Sequence, residues 1–105
     1  MVINLKRKLG MGSIKFRIQE NDGFRDYLLL DNLEDEIAEM IYPNITVIQD
    51  TKFKLKFNDG YIEITTNNRN GFTRTELVRK INELYPNGKL YKVYQNNGFF
   101  EVCVD

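Results

Sequence analysis

Apolar and polar residues alternate over residues 14–19, 53–57 and 62–65, and such alternation places the apolar side chains on one face of a β-strand. Three short polar turns, which contain Asp22-Gly23, Asp59-Gly60 and Asn97-Gly98, each join two runs rich in apolar residues. These dipeptides favour two-residue hairpin loops, because Asn, Asp and Gly accept the positive φ that such loops need. The pattern therefore predicts three β-hairpins.

The alternation also predicts which residues face one another, because a slip of one residue would mix the apolar and polar faces. Apolar residues should oppose apolar ones, and opposite charges should pair across the strands. The expected pairs are Ile18 with Tyr27, Phe16 with Leu29, and Glu20 with Arg25; Phe57 with Ile62, Leu55 with Ile64, and Lys56 with Glu63; Val93 with Val102, Tyr91 with Val104, and Lys92 with Cys103.

A second spacing, with apolar residues three or four positions apart, predicts two helices. Asp31 or Asn32 is expected to cap the first helix, which ends at Tyr42-Pro43-Asn44 and is followed by a strand over residues 45–48. Its inner face is Leu33, Ile37, Met40 and Ile41, and its outer face is Glu34, Asp35, Glu36 and Glu39. Paired carboxylates can serve acid–base chemistry or hold a divalent cation, but a solvated helix face is the simpler interpretation.

The second helix has the better-defined start. Thr73 suits the N-cap, and Glu76 is spaced to complete a capping box with it. Phe72 and Leu77 are spaced for a hydrophobic staple, and the helix is expected to run through Tyr85 before Pro and Gly end it. These are signals of structure rather than of chemistry.

Together the elements predict an α+β domain, with a largely antiparallel sheet of about seven short strands and two helices packed on it. Residues 1–12 are expected to form a flexible or edge N-terminal arm, and residues 13–105 a single domain. Residues 14–49 and 53–95 share one order of elements, which suggests a duplicated ββαβ unit. The predicted core is Phe16, Ile18, Leu29, Ile37, Ile41, Ile45, Val47, Leu55, Phe57, Ile62, Ile64, Leu77, Ile81, Leu84, Val93 and Val102.

Composition narrows the chemistry. The chain has 105 residues, zero net charge, a single cysteine (Cys103) and no histidine. The commonest general base and metal ligand is therefore missing, and no disulfide can form within the chain. No apolar run approaches the roughly 20 residues of a membrane span. We expect an intracellular protein without membrane contact, cofactor, bound metal or catalytic residues.

The leading hypothesis is a non-enzymatic interaction or structural module. The chain has no Gly-rich phosphate loop after a strand and no nucleophile–base spacing, whereas its many strands supply edges that pair with other chains. The expected partner is another protein or a second copy, as a homodimer. An enzyme using Tyr, Lys, Asp or Glu is a third class, but no spacing brings these residues to one site.

Nucleic-acid binding is the alternative. If the hairpins join one sheet, outward-facing cations would form a basic stripe, with Tyr61 or Phe24 available for stacking. Zero net charge and the Lys56–Glu63 pairing argue for an ordinary solvated face instead. The candidate contacts are Lys6, Arg7, Lys8, Lys15, Arg17, Lys52, Lys54 and Lys56.

The run from Asp59 to Thr65, followed by Gly71-Phe72-Thr73-Arg74-Thr75-Glu76-Leu77, resembles a segment of uncharacterised proteins of giant, mimivirus-like DNA viruses. The abundance of Asn, Lys, Ile, Tyr and Phe, typical of an A+T-rich genome, fits this resemblance. It covers about a third of the chain. It implies a virus-encoded protein in the host cytoplasm or the virion, and brings no activity or catalytic residues with it.

Overall fold

A computed structural model describes residues 13–105 of the chain, so the predicted arm, residues 1–12, lies outside the described residues. The described part is α+β, as predicted, with ten strands and two α-helices. The strands are β1 (Ser13–Lys15), β2 (Ile18–Glu20), β3 (Gly23–Arg25), β4 (Leu28–Leu29), β5 (Thr46–Ile48), β6 (Lys52–Phe57), β7 (Gly60–Thr65), β8 (Phe72–Thr73), β9 (Lys89–Asn96) and β10 (Phe99–Val104). The helices are α1 (Leu33–Ala38), which follows a 3-10 turn at Leu30–Asn32, and α2 (Arg74–Leu84). There are ten strands rather than about seven because the first two predicted strands are each divided and β8 is added.

The main sheet has the order β1-β9-β10-β6-β7, with β4 also paired to β9. All of its pairs are antiparallel except β10 with β6. Because β10 occupies one edge of β9, β1 and β4 must lie end to end along the other. β1 pairs with residues 92–94 and β4 with residues 89–90. The chain between them leaves the sheet and forms the separate β2–β3 hairpin.

A β-bulge marks the point where this excursion begins. Cys103 pairs with Lys92, but the next residue, Val104, pairs with Leu90, so Tyr91 is the extra residue. A bulge bends its strand and redirects the local side chains. Leu90 and Val93 are consequently both buried although they are three residues apart.

The third hairpin forms as predicted. Asn97 and Gly98 have φ values of 52° and 90°, so both loop residues adopt positive φ. Val93 faces Val102 and Lys92 faces Cys103, as expected. Only the expected pair of Tyr91 with Val104 is wrong, because of the bulge.

The second hairpin forms with its pairing shifted by two residues. The loop is Asn58-Asp59, Asn58 has φ 57°, and Gly60 begins the return strand opposite Phe57. Predicted pairs such as Phe57 with Ile62 are therefore wrong. A slip of two residues leaves every side chain on its predicted face.

The first hairpin departs further from prediction. Its loop is Asn21-Asp22, and Ile18 faces Arg25 instead of Tyr27. The expected pair of Phe16 with Leu29 does not form, because β4 pairs with β9. Leu28 and Leu30 fill the core positions on this segment.

The start of α2 is confirmed in part. Thr73 Oγ1 accepts a hydrogen bond from the Glu76 N–H at 3.1 Å, and Phe72 and Leu77 are fully buried. A capping box also requires the Glu76 carboxylate to accept from the Thr73 N–H. This carboxylate accepts a hydrogen bond from the Thr66 hydroxyl instead. For α1, the predicted cap at Asp31 or Asn32 is wrong: Asn32 makes no side-chain cap, and the 3-10 turn leads into the helix.

A backbone contact fixes the approach to α2. β5 pairs with β8, and a Cβ on Gly71 would lie 2.0 Å from the carbonyl oxygen of Ile48. Gly71 also has φ 103°. Only glycine fits this position without moving the backbone.

One core joins the sheet to both helices. Of the predicted core residues, Phe16, Ile18, Leu55, Ile64, Leu77, Ile81 and Val93 are buried, and Ile37, Val47, Ile62, Leu84 and Val102 pack against them. The inclusion of Ile45 is wrong, since it is 53% exposed; it precedes β5 and contributes its carbonyl oxygen to the Arg74 N–H. Buried hydrophobic residues outside the prediction are Leu28, Leu30, Met40, Ile48, Phe53, Phe72, Val78 and Leu90.

The two halves share an order of elements but not a pattern of pairing. In the first half, β2 pairs with β3 in a small sheet and β5 pairs with β8. In the second half, the β6–β7 hairpin and β9 both belong to the main sheet. The strand pairing therefore gives the proposed duplication no support.

Candidate functional site

One face of the main sheet is open to solvent. The buried side chains of α2 and the partly buried ones of α1 join the core cluster with Leu55 and Val93, so both helices lie on the core side. We call the opposite side the outer face. In the described strands its members are exposed or half-exposed.

Strand pairing identifies the members of the outer face. Lys15 faces Lys92, and Lys92 faces Cys103. Phe100 and Leu55 face each other on the core side, so their neighbours along β10 and β6 point outward. Between the Tyr91 bulge and β7 the charged members of the outer face are Lys15, Lys52, Lys54, Lys56, Lys92, Glu63 and Glu101; Lys89, exposed at the start of β9, lies on the other side of the bulge and is not part of this set.

The structure brings together part of the predicted basic set. Lys15, Lys52, Lys54 and Lys56 share the outer face, whereas Arg17 lies beyond the end of β1. Lys6, Arg7 and Lys8 lie outside the described residues. Lys92 belongs to the surface but was absent from the prediction, although its expected pairing with Cys103 already directed it away from Val93.

Charge in this set of outer-face residues is unequal, with five lysines against two carboxylates. Lys52 Nζ lies 4.0 Å from Glu63 Oε2, a weak exposed contact. Glu101 accepts hydrogen bonds from Asn96 Nδ2 at 2.8 Å and Tyr94 Oη at 3.2 Å. The bond from Asn96, with that from Tyr94, lowers the pKa of Glu101, so this carboxylate is ionised at neutral pH.

Acidic residues in and beside α1 offset the lysines of the outer face. Asp31, Glu34, Asp35 and Glu39 are exposed and belong to the helical side of the sheet. Zero net charge of the whole chain is therefore compatible with a locally basic face, because these carboxylates lie on the other side of the sheet. A ligand near the outer face is attracted by local charge, because salt screens interactions beyond about 10 Å.

Aromatic side chains lie among the lysines. Tyr61 is 55% exposed and meets Phe99 edge-to-face, with ring centroids 4.8 Å apart. The Lys92 ammonium lies 5.6 Å from the centre of the Tyr94 ring. Exposed rings beside cations are the arrangement on which nucleic-acid bases stack.

At the β1 edge the outer face continues into a depression that we call the edge cleft, of about 630 Å³. It exists because the chain leaves the sheet between β1 and β4 beside the Tyr91 bulge. Its lining is Lys15, Arg17, Asp26, Ile41, Tyr42, Arg74, Tyr91, Lys92 and Cys103.

Arg74 is held in the edge cleft by main-chain carbonyls. Its Nε donates to Lys15 O at 2.9 Å and its Nη1 to Tyr42 O at 3.3 Å. Within residues 13–105 it forms no ion pair with a carboxylate. Burial lowers the pKa of Arg74, but a guanidinium retains its charge at neutral pH. No signal in the sequence indicated this role, because a charged residue in the first turn of a helix is ordinarily solvated.

A buried ion pair corrects another expectation. Glu36, predicted on the acidic outer side of α1, is only 5% exposed. Its Oε1 and Oε2 accept from Arg25 Nη1 at 2.6 Å and Nη2 at 3.0 Å, and Oε1 also accepts from the Leu29 N–H at 2.8 Å. Burial alone would raise the pKa of Glu36, but the bonds from Arg25 and Leu29 outweigh it and the pKa is lowered. This pair joins the first hairpin to α1 and lies inside the fold.

No family model, no curated protein and no solved structure matches this chain, so the viral resemblance stays a prediction. Among the described residues, no group of three or more cysteine and carboxylate side chains could hold a metal ion. No helix in the described range is long and apolar enough to span a membrane.

Proposed function

We propose that this protein is a non-enzymatic binding module that holds a single-stranded nucleic acid on its outer face. The observation that carries the proposal is the open sheet surface, where five lysines face two carboxylates and aromatic rings lie between them. Lysines attract the phosphate backbone, and ring faces accept bases without requiring a sequence.

The shape of the surface favours a single strand over a duplex. The main sheet is five strands wide in the order β1-β9-β10-β6-β7, so it spans about 19 Å at the usual spacing between neighbouring strands. This width leaves room for a few nucleotides. Reading a duplex groove requires a helix or a β-ribbon that projects into it. An open sheet with exposed rings suits splayed bases instead.

Fluorescence anisotropy tests this proposal. Labelled single-stranded RNA and DNA of about 12 nucleotides, and the matching duplex, are titrated with protein at low salt. The test variant is Lys54→Gln with Lys56→Gln. The control is Arg69→Gln with Lys80→Gln, which removes the same charge from the loop before α2 and from α2 itself.

We expect the single strands to bind more tightly than the duplex. The Lys54/Lys56 variant should lose about tenfold in affinity, which corresponds to about 1.4 kcal/mol, because it removes two lysines that attract the phosphate backbone. The control variant should match the wild type. Equal losses in both variants, or no binding by the wild type, would count against the proposal.

A second candidate is a homodimer formed through β7. Phe57 and Gly60 close the hairpin, so the alternation of an antiparallel ladder directs the N–H and C=O groups of Tyr61, Glu63 and Thr65 away from β6. β7 runs six residues with a regular register and contains no Lys or Pro, which commonly protect edges. Within the described residues, no strand pairs with this side of it.

Light scattering over a range of concentrations tests the dimer. Thr65→Pro removes one outward N–H and should lower the dimer fraction, whereas Thr65→Ala keeps that N–H and should not. A wild type that stays monomeric at high concentration rules this candidate out.

A further inference from the structure

We propose that the edge cleft binds a phosphate monoester attached to an aromatic base, either a mononucleotide or the phosphorylated end of a nucleic-acid strand. This inference deepens the proposed function by naming the group held where the outer face meets the sheet edge. It can also stand alone, since a mononucleotide needs no other part of the surface.

Charge in the edge cleft favours a dianion. Lys15, Arg17, Arg74 and Lys92 line it with a single carboxylate, Asp26. Asp26 Oδ1 is already bound by Arg17 Nε at 3.0 Å, with both side chains more than half exposed. A phosphate monoester carries about −1.5 to −2 charges at pH 7, more than the single charge of a diester. The remaining positive charge therefore suits a strand end better than an internal phosphate.

The hydrogen bonds of Arg74 set its guanidinium in place before a ligand arrives. A guanidinium has five N–H donors. Arg74 uses one to Lys15 O and one to Tyr42 O, and carbonyl oxygens do not neutralise its charge. The remaining donors of a positioned guanidinium match two phosphate oxygens at once.

Aromatic residues and size fit the rest of the ligand. Tyr42 is 70% exposed, and Tyr91 is the extra residue of the bulge. Both line the edge cleft with Arg74. A tyrosine ring offers a stacking surface for a base. The volume of about 630 Å³ lies within the usual range for small-molecule sites.

In the experiment, adenosine 5′-monophosphate and, separately, adenosine are titrated into the isotope-labelled full chain. Binding is measured from changes in the NMR chemical shifts of the protein. A parallel titration compares one oligonucleotide with a 5′-phosphate and with a 5′-hydroxyl. The test variant is Arg17→Gln with Lys92→Gln, which leaves the Arg74 bonds to the main chain intact. The matched control is Arg69→Gln with Lys80→Gln, which removes the same charge from residues that belong to neither the outer face nor the edge cleft.

We expect the monophosphate to bind about tenfold or more tightly than adenosine, because charge-assisted bonds to phosphate are each worth more than a neutral one. Shifts should concentrate at Tyr42, Arg74 and Tyr91. The Arg17/Lys92 variant should lose about tenfold in affinity for the monophosphate, and the Arg69/Lys80 control should keep the wild-type affinity.

The outcomes separate this inference from the proposed function. If the monophosphate binds at these residues while oligonucleotides do not bind, the edge-cleft site stands and the outer-face proposal fails. If oligonucleotides bind but a 5′-phosphate adds nothing and the monophosphate binds no better than adenosine, the edge-cleft site is overturned. An equal loss of monophosphate affinity in the Arg17/Lys92 variant and the Arg69/Lys80 control would also overturn it.

Discussion

Replacing Glu36 with glutamine should destabilise the fold more than a charge removed at the surface. The glutamine keeps the size and shape of the side chain, so no cavity forms. It removes the negative charge that faces Arg25 and turns one accepting oxygen into a donor. Arg25, whose side chain is only 12% exposed, would then lie against an amide.

The structure sets the size of the effect. Breaking a buried ion pair by removing one partner costs about 3–5 kcal/mol. Arg25 Nε keeps a 2.6 Å contact with Glu20, which is half exposed and neutralises part of the charge. We therefore expect a loss near the lower end, about 3 kcal/mol. With an m-value of about 2 kcal/mol/M, the urea midpoint should fall by about 1.5 M.

The assay is equilibrium urea unfolding followed by far-UV circular dichroism. The control is Glu34→Gln, which breaks an exposed pair with Arg79 and should leave the midpoint unchanged. Replacing both buried partners, as Arg25→Met with Glu36→Leu, should restore part of the stability, because no unpaired charge remains. If Glu36→Gln lowers the midpoint no more than Glu34→Gln does, the pair does not hold the hairpin to α1.

The contribution of Glu36 to stability depends on pH in a direction that its pKa determines. The folded pKa of Glu36 is lowered from an ordinary value of 4.5. Its contribution to the free energy of unfolding is therefore complete above about pH 4.5 and is lost as the pH falls through the lower folded value. The difference in stability between wild type and Glu36→Gln should be constant near neutral pH and shrink in acid.

Two further substitutions test the local structure around α2. Gly71→Ala should lower the free energy of unfolding by at least about 2 kcal/mol. A residue in a sparsely populated φ region costs on the order of 1–3 kcal/mol, and the new Cβ would also clash with Ile48 O. Gly60→Ala is the control, because nothing lies within 4 Å of an added Cβ there, and it should change the free energy of unfolding by less than about 0.5 kcal/mol. Thr73→Ala should cost about 1 kcal/mol through loss of the bond to the Glu76 N–H, while Thr73→Ser keeps that bond and most of the stability. Urea unfolding measures each, and equal effects within either pair would contradict the corresponding geometry.

Local sequence signals predicted the strands and helices. How correctly the strand pairing was predicted depended on which residues form each hairpin loop. Asn97-Gly98 gave the correct loop because both positions take positive φ. In the second hairpin, Asn58 takes the left-handed conformation and displaces the loop by one position, which shifts the pairing by two. Faces could still be predicted, because a shift of two preserves alternation.

Tertiary contacts account for the larger errors. Glu36 lies in a run of acidic residues and has no feature that marks it as buried; its partner, Arg25, comes from a hairpin whose register was mispredicted. Ile45 is apolar and was predicted in the core, but its side chain is exposed. Its carbonyl oxygen accepts a hydrogen bond from the Arg74 N–H.

In the candidate site, too, local patterns predicted some features and tertiary contacts determined the others. Alternation placed Lys54 and Lys56 outward correctly, whereas the edge cleft arises from pairing of β1 and β4 along one strand. Pairing between residues so far apart in the chain leaves no local pattern. Arg74 therefore could not be recognised as part of a cationic cleft from its helix position.

The salt dependence of binding to single-stranded RNA tests the central claim most directly. Each phosphate contact contributes about −0.7 to the slope of log affinity against log salt, so five lysines predict about −3.5 for the wild type and about −2 for the Lys54/Lys56 variant. Those two slopes, together with an unchanged slope in the Arg69/Lys80 control, are the result we expect. An absence of binding at low salt, or one common slope for all three proteins, would contradict a nucleic-acid site on the outer face.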